Sequence, residues 1–169
     1  LSLLRELGVE NVSVAGDTRV DRVLRIASEV TSNAPVEAFV QNSPVIVIGS
    51  SWEADEQILI PVLQRPEFQH FKIIIAPHEP SVGNVQRLCA QFKSAVPYSS
   101  YLNNPDENAR VMVIDNIGLL NILYKYGTIA YIGGGFGKGI HNTLEPAAFG
   151  LPIIFGPKFE KFEEARQFV

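Results

Sequence analysis

The residues best suited to chemistry lie in one stretch of the chain, 132–157, with the sequence IGGGFGKGIHNTLEPAAFGLPIIFGP. The end of a predicted strand is followed there by a run of glycines, and then by His141, Asn142 and a short predicted helix that carries Glu145. Glycine lets the backbone approach a ligand with no Cβ in the way, and it permits a positive φ. Because the unpaired N–H groups at a helix start attract anions, the stretch predicts a cradle for an anion or a nucleotide.

The glycine run fits neither of the two common phosphate-binding motifs. A P-loop requires G-x-x-x-x-G-K-[ST], and here Gly137 and Lys138 are followed by Gly139 instead of Ser or Thr. The dinucleotide fingerprint G-x-G-x-x-G opens the first βα turn of a domain, whereas this run lies late in the chain and has Ile140 where the third glycine belongs. The run therefore indicates a nucleotide site of another kind.

Composition excludes several classes of function. The 169 residues are 46% hydrophobic and 19% charged, which is typical of one globular domain. The net charge of −4 argues against nucleic acid as a main partner, because phosphate contacts need a basic face. His70, His78 and His141 lie in separate segments without neighbouring ligands, so no metal site is expected. Apolar runs also stay short of the ~18 residues that a transmembrane helix needs.

Strands alternate with helical segments along the chain. Apolar, β-branched runs predict the main strands, and two short strands are expected at 11–15 and 98–101. Such alternation gives βαβ units, and therefore an α/β, Rossmann-like parallel sheet with helices on both faces. The main strands are expected at 44–49, 71–76, 111–114, 129–132 and 153–155. Helices are expected at 1–7, within 16–30 after a cap at Asp17 or Thr18, from a cap at Ser50 through Leu63, and at 81–93, 117–126 and 159–169.

Ligands in such sheets bind beyond the carboxyl ends of the strands. This rule brings four segments to one crevice: 50–53, 77–79, 115–120 and 133–145. Ser50 and Glu53 have the spacing of a helix capping box, and so do Asn142 and Glu145. A helix that begins at Pro146 is the alternative register for the last segment. Helix capping and ligand contact both remain open for these residues.

The block G-G-G-x-G-x-G-x-H-N-x-x-E-P-A-A-x-G-x-P resembles the donor-site signature of the 3-deoxy-D-manno-octulosonic acid (Kdo) transferases of lipopolysaccharide synthesis. These enzymes are glycosyltransferases with two Rossmann-like halves, the glycosyltransferase-B fold. Other segments agree in the same order: 15–19 with Asp21, 49–53, 76–78, and Asp115 with 118–120. The resemblance spans residues 14–164 and covers only the carboxyl-terminal, donor-binding half. It implies one domain over 1–169, in which about 1–35 lead in from an amino-terminal acceptor half.

The resemblance implies an inverting transfer of Kdo from CMP-Kdo to a lipid A precursor, with no metal or other cofactor. It also implies a place at the cytoplasmic face of the bacterial inner membrane, while residues 1–169 alone are expected to be soluble. Glu145 is expected to bind ribose hydroxyls, and helix starts at Gly118 and Asn142 to hold the phosphate. Contacts with CMP are expected at Pro77, His78, Gly118, Leu119, Leu120, Asn142, Thr143, Leu144 and Glu145, and phosphate contacts at Ser50, Ser51, Gly134, Gly135 and Lys138.

Two positions differ from the family pattern. The family has an arginine in A-P-R-H where this chain passes directly from Pro77 to His78, and it has G-E-L where this chain has Gly118, Leu119 and Leu120. Lys138 or Lys158 would have to replace the guanidinium contact with phosphate.

The general base of the family lies in the amino-terminal half. Residues 1–169 are therefore expected to bind the donor without transferring its sugar. Two alternatives remain open at this point. One is half of a nucleotide-sugar epimerase that acts on a UDP-sugar, and the other is a non-catalytic module that binds a nucleotide or a partner.

Overall fold

Parallel strands form one sheet in the computed structural model, which describes residues 2–13 and 16–169. Six strands are found in these ranges, in the order β3-β4-β2-β1-β5-β6, and all neighbouring pairs are parallel. The expected Rossmann-like α/β class is therefore confirmed. The strands are β1 (Val45–Ser51), β2 (Lys72–Pro77), β3 (Ala95–Pro97), β4 (Val111–Val113), β5 (Ile129–Ile132) and β6 (Ile153–Phe155).

Helices connect these strands. Two of them, α4 and α5, contribute to the apolar layer on one face of the sheet, while α3 and α6 contribute to the layer on the other. The helices are α1 (Ser2–Glu6), α2 (Thr18–Glu29), α3 (Ala34–Val40), α4 (Glu53–Leu63), α5 (Val82–Ala90), α6 (Tyr98–Asn103), α7 (Leu120–Leu123), α8 (Leu144–Ala148) and α9 (Glu163–Phe168). Two 3₁₀ turns, Pro66–Phe68 and Tyr124–Tyr126, complete the set in the described ranges.

The central strand β1 explains why its sequence is apolar without alternation. Val45 and Val47 are buried in the layer that includes α3, whereas Ile46 and Ile48 are buried in the layer that includes α4 and α5. A strand that is covered on both faces needs apolar side chains at every position. This strand therefore contributes side chains to the apolar core on each face of the sheet.

The order of the strands fixes where a ligand can enter. The chain runs from β1 to β2 on one side of β1, and after β4 it crosses to β5 on the other side. Connections that leave neighbouring strands in opposite directions open a crevice at the carboxyl edge of the sheet. In this chain the crevice lies between the ends of β1 and β5.

Several sequence expectations were wrong. The expected strand at 98–101 is helix α6, and the edge strand is β3, which pairs Ala95 with Val111. Helix α3 was not anticipated. The helix expected at 117–126 is the single turn α7 followed by a 3₁₀ turn. For the strand expected at 11–15, residues 11–13 are not extended in a sheet, and Val14 and Ala15 lie outside the described residues.

The glycine run packs backbone against backbone. A Cβ built on Gly133 would lie 2.2 Å from the carbonyl oxygen of Ser50, and one on Gly135 would lie 2.5 Å from the nitrogen of Gly156. Real Cβ atoms do not tolerate such distances, and the atoms they would meet belong to rigid main chain. Glycine is therefore required here to let the loop after β5 lie directly on the end of β1.

We expect Gly133→Ala to lower the free energy of unfolding by about 2 kcal/mol or more, because the added methyl group overpacks a rigid contact. The matched control is Gly83→Ala in α5, where nothing lies within 4 Å of the added Cβ. That substitution should stabilise the protein by about 0.5–1 kcal/mol through its helix propensity. Urea unfolding of both variants measures the difference, and equal stability of the two would contradict the packing role.

Candidate functional site

A cavity of about 470 Å³ opens at the crevice between β1 and β5. Helix α2 forms one wall, α7 with the loop before it forms a second, and the loop that leads into α8 forms a third. Apolar side chains such as Val23 and Ile26 lie beside the charged groups of Arg22 and Glu145. An apolar wall with a few polar groups is the usual character of a small-molecule site.

A smaller cavity of about 140 Å³ adjoins the first, and Ser50, Gly118 and Leu120 line both. Pro77 and His78 line the smaller cavity, while Asn142 and Glu145 line the larger one. The three segments expected to contact a nucleotide therefore meet at one crevice.

A bulge at the end of β1 turns Ser50 into this crevice. Gly49 pairs with Ala76 and Ser51 pairs with Pro77, so Ser50 is the extra residue between them. Its φ of 52° lies in the left-handed region, which a side chain other than glycine rarely adopts. Bulges commonly redirect a side chain beside a functional site. Ser50 is therefore the residue of β1 that lines both cavities.

Three of the expected CMP contacts do not line either cavity. Thr143 and Leu144 are buried, and Leu119 packs against the core beneath α7.

The expected phosphate contacts fare differently from one another. Gly134 and Gly135 are buried and line neither cavity. Ser51 is also buried, and its hydroxyl donates a hydrogen bond of 2.8 Å to Glu56. Lys138 is exposed, with its Nζ 5.9 Å from the centre of the Trp52 ring. Among these candidates only Ser50 faces the cavities.

The glycine run does not present a row of free N–H groups, contrary to the sequence expectation. The N–H of Gly133 donates to the Gly49 carbonyl, and those of Gly137 and Gly139 both donate to the Gly134 carbonyl. The N–H of Gly134 donates to the Asp55 carboxylate at 2.8 Å. These four donors are already satisfied within the fold.

Helix starts are also weaker than expected as phosphate sites. Helix α7 begins at Leu120 and has four residues, and α8 begins at Leu144 and has five. One turn of helix aligns few peptide dipoles, so the macrodipole at each start is small. The short helices thus place side chains such as Leu120 and Glu145 at the crevice.

Asn142 sets the position of Glu145. The Asn142 side-chain oxygen accepts a hydrogen bond from the Leu144 N–H at 3.0 Å, and its amide donates to Glu145 Oε1 at 3.1 Å. The helix therefore begins two residues before Pro146, so neither of the two sequence registers was right. Pro146 is the third helical residue, where a missing N–H costs no helical hydrogen bond. Glu145 stays at the mouth of α8 and lines the larger cavity.

The Glu145 carboxyl is partly withdrawn from water. Its burial raises the pKa of Glu145, while the hydrogen bond from Asn142 and the charge of Arg22 oppose that rise. A half-buried carboxylate with acceptor atoms facing a cavity is suited to bind hydroxyl groups of a ligand.

Two arginines of α2 line the cavity and were not singled out from the sequence as contacts. Arg19 is already paired, at 2.6 Å from Asp17 and 3.3 Å from Glu164. Arg22, one turn later, forms no ion pair within the described ranges. The signal was available, because Arg19, Arg22 and Ile26 share one helical face by their spacing. Arg22 is thus a cation with its charge available to an anion in the cavity.

Three aromatic rings form a cluster at the carboxyl edge of the sheet. The rings of Trp52 and His78 stack at 4.2 Å between centres, and those of His78 and His141 lie 4.5 Å apart. Trp52 Nε1 donates a hydrogen bond of 3.0 Å to His141 Nε2. This hydrogen bond requires Nε2 of His141 to be unprotonated. Trp52 and His78, the latter expected as a CMP contact, therefore join the ends of β1 and β2 to the glycine loop.

The described part of the chain contains neither a metal-ligand cluster nor a membrane-spanning helix. No group of three or more His, Cys, Asp or Glu side chains is arranged there to hold a metal ion. None of the helices in 2–13 and 16–169 is long and apolar enough to cross a bilayer.

The family resemblance is confirmed by comparison with known proteins. The chain is 30% identical over 165 residues to the Kdo transferase of Rickettsia typhi and 27% identical over 165 residues to that of Rickettsia felis, which is 95% of this chain in each case. It is 28% identical over 127 residues to the enzyme of Aquifex aeolicus. These matches cover about 35% of each of the three relatives, so the chain spans about a third of their length. No family model matches the chain.

A solved structure supports the fold. The crystal structure of the C-terminal CMP-Kdo binding domain of WaaA from Acinetobacter baumannii matches with a TM-score of 0.64 at 20% identity. The match covers 87% of this chain and 77% of that domain. The two domains therefore share an architecture.

We expect the protein to lose stability as the pH falls below about 6.5, the ordinary pKa of histidine. Burial lowers the pKa of His141, and the neighbouring His78 lowers it further, while Asp55 opposes both. The unfolded chain then binds a proton at a higher pH than the folded protein does, so acid favours unfolding.

Thermal unfolding between pH 7.5 and 5 measures this dependence. His141→Gln keeps a hydrogen-bond acceptor for Trp52 but removes the titrating ring, so its unfolding temperature should fall less steeply. Parallel pH profiles of the two proteins would show that His141 does not titrate as described.

Proposed function

We propose that this chain is the donor-binding domain of a Kdo transferase, which holds CMP-Kdo while Kdo is transferred, with inversion, to a lipid A precursor. One observation carries the proposal: the three segments expected to contact CMP meet at one crevice, in a chain similar to Kdo transferases over 95% of its length. The domain it resembles in fold is described as a CMP-Kdo binding domain.

The cavity supplies a chemical partner for each part of a cytidine monophosphate. Glu145 is an acceptor-only carboxylate, and we assign it to the ribose hydroxyls. Arg22 supplies the cation for the phosphate, a role expected from sequence for Lys138 or Lys158. Lys158 is engaged, since its Nζ donates to the Gly137 carbonyl at 2.9 Å. The smaller cavity beside Pro77 and His78 is left for the base.

The group whose charge changes most during the transfer is the leaving CMP. As the bond to Kdo breaks, negative charge develops on CMP, so a cation beside the phosphate stabilises the transition state more than the bound donor. Arg22 is placed for that role from the wall of the cavity. We assign the general base and the acceptor site to the part of the relatives that this chain does not span.

Because the proposed acceptor is a lipid, we also place the reaction at the cytoplasmic face of the inner membrane, which fractionation of cells tests.

Calorimetric titration of the protein with CMP, UDP and NAD tests the proposal. We expect CMP to bind and the other two to bind at least 10-fold more weakly. Preference for UDP would favour a nucleotide-sugar epimerase, and failure to bind any of the three would favour a module without nucleotide chemistry.

Glu145→Gln should reduce CMP affinity about 10-fold or more with little change in unfolding temperature, because a charged hydrogen bond to hydroxyls becomes a neutral one.

Residues 1–169 incubated with CMP-Kdo and a lipid A precursor should show no transfer.

A second experiment isolates the phosphate contact. Arg22→Gln should weaken CMP binding about 10-fold but leave binding of cytidine, which has no phosphate, nearly unchanged. Arg25→Gln is the matched control, since Arg25 is exposed on the same helix and does not line the cavity. The loss caused by Arg22→Gln should also shrink at high salt, because exposed charges are screened. Equal losses for CMP and cytidine would remove Arg22 from the phosphate site.

A further inference from the structure

The imidazole ring of His141 is held on three sides by other parts of the fold. Its Nε2 accepts the hydrogen bond of 3.0 Å from Trp52, its Cδ2 would lie 3.3 Å from a Cβ built on Gly134, and the ring of His78 covers one of its faces at 4.5 Å. The main-chain N–H of His141 also donates to the Gly133 carbonyl at 3.2 Å. These contacts leave uncovered the edge of the ring that carries Nδ1.

The hydrogen bond from Trp52 also determines which nitrogen of the ring carries the proton. Burial and the neighbouring His78 lower the pKa of His141, so the ring is neutral at pH 7.5 and has one N–H group. Because Nε2 accepts the hydrogen bond from Trp52, that proton lies on Nδ1. His141 therefore presents a hydrogen-bond donor at its uncovered edge.

This donor has no partner within the described part of the chain, and it is open to solvent. The buried side-chain atoms without a partner in those ranges are Asn121 Oδ1 and Thr143 Oγ1. Nδ1 of His141 is also unpaired but does not belong to this buried set, so it retains accessible surface. His141 is half-buried and lines the larger cavity, where a ligand can therefore reach Nδ1.

The charges around this donor favour an anion. Arg22, whose guanidinium forms no ion pair in the described ranges, lines the same cavity. Glu145 is the one carboxylate among the described residues that line it, and the proposed function gives that carboxylate the ribose hydroxyls. The acceptor atoms of the base are assigned to the smaller cavity. The anionic part of the ligand is therefore what the larger cavity leaves for His141 and Arg22.

We infer that His141 is a specificity-determining residue of the cavity, whose Nδ1–H donates a hydrogen bond to an anionic oxygen of the bound nucleotide sugar. The inference rests on the proposed function and extends it, because the expected CMP and phosphate contacts do not include His141. CMP-Kdo has two sources of such an oxygen, its phosphate and the carboxylate of the sugar acid. Trp52 is then a positioning residue, since it keeps the proton of His141 on the nitrogen that meets the ligand.

Two substitutions of His141 separate binding from stability. The side-chain amide of asparagine lies close to the position of Nδ1, and that of glutamine lies close to the position of Nε2. His141→Gln removes the donor to the ligand but keeps an acceptor for Trp52, so its affinity for CMP-Kdo should fall about 10-fold or more with little change in unfolding temperature at pH 7.5. His141→Asn keeps the donor but loses the bond to Trp52, so it should unfold at a lower temperature while its affinity stays within about 3-fold.

His70→Gln is the matched control, since His70 is exposed and lines neither cavity. It should change neither the affinity nor the unfolding temperature. Losses of affinity that are equal in His141→Gln and His141→Asn would show that His141 acts only through the structure, and would overturn the inference.

Titrations of His141→Gln with CMP-Kdo, CMP and cytidine identify the acceptor. If affinity falls for CMP-Kdo and CMP but not for cytidine, the acceptor is the phosphate. If it falls for CMP-Kdo alone, the acceptor is the carboxylate of the sugar. An equal fall for all three would contradict the inference, because cytidine has no anionic oxygen.

Nitrogen-15 NMR of the imidazole at pH 7.5 measures the tautomer directly, because protonated and unprotonated ring nitrogens differ widely in chemical shift. We expect the proton of His141 on Nδ1, and a proton on Nε2 would overturn the inference. So would an unchanged affinity for CMP-Kdo in His141→Gln. Failure of the natural protein to bind either CMP-Kdo or CMP is a distinct result, which would overturn the proposed function itself.

Discussion

The buried carboxylate of Asp55 is the interaction on which the architecture of the crevice depends. It is 0% exposed and accepts hydrogen bonds from the Trp52 N–H at 3.0 Å, the Tyr131 hydroxyl at 2.9 Å and the Gly134 N–H at 2.8 Å. These donors belong to the start of α4, to β5 and to the glycine loop. A buried acidic side chain is tolerated only when such donors surround it, and each donor would be left unpaired without it. One side chain thereby joins the ends of the two strands between which the crevice opens.

The hydrogen bonds of Asp55 give the glycine run a structural role. With the Gly134 N–H bound to Asp55, the loop after β5 is drawn onto the end of β1, and only residues without a Cβ allow that approach at Gly133. At Gly133 and Gly134 the run therefore serves the close packing of the loop. The charged side chains that line the cavity come from other segments, chiefly Arg22 of α2 and Glu145 of α8.

Sequence patterns predicted the features that depend on local order. The apolar run of β1 indicated a covered central strand, and the block from His141 to Glu145 indicated a site at a strand end. What they missed depends on pairing between distant segments. The edge strand β3 exists only because Ala95 meets Val111, and Ser50 enters the crevice only because β1 has one residue more than β2 at that level.

The two arginines of α2 show how one helix serves both attachment and binding. Arg19 lies 3.3 Å from Glu164 of α9, a carboxylate with 9% of its side chain exposed, and Val23 is buried below it. These contacts fix the helix against the domain, and they occupy Arg19. Arg22 follows after three residues, so it lies on the same side of α2 while its guanidinium is left without an ion pair in the described ranges. The position of Arg22 at the cavity is therefore coupled to the attachment of α2. Loss of the Arg19–Glu164 pair would loosen the helix that carries Arg22, and under the proposed function it would weaken phosphate binding without removing the cation assigned to the phosphate.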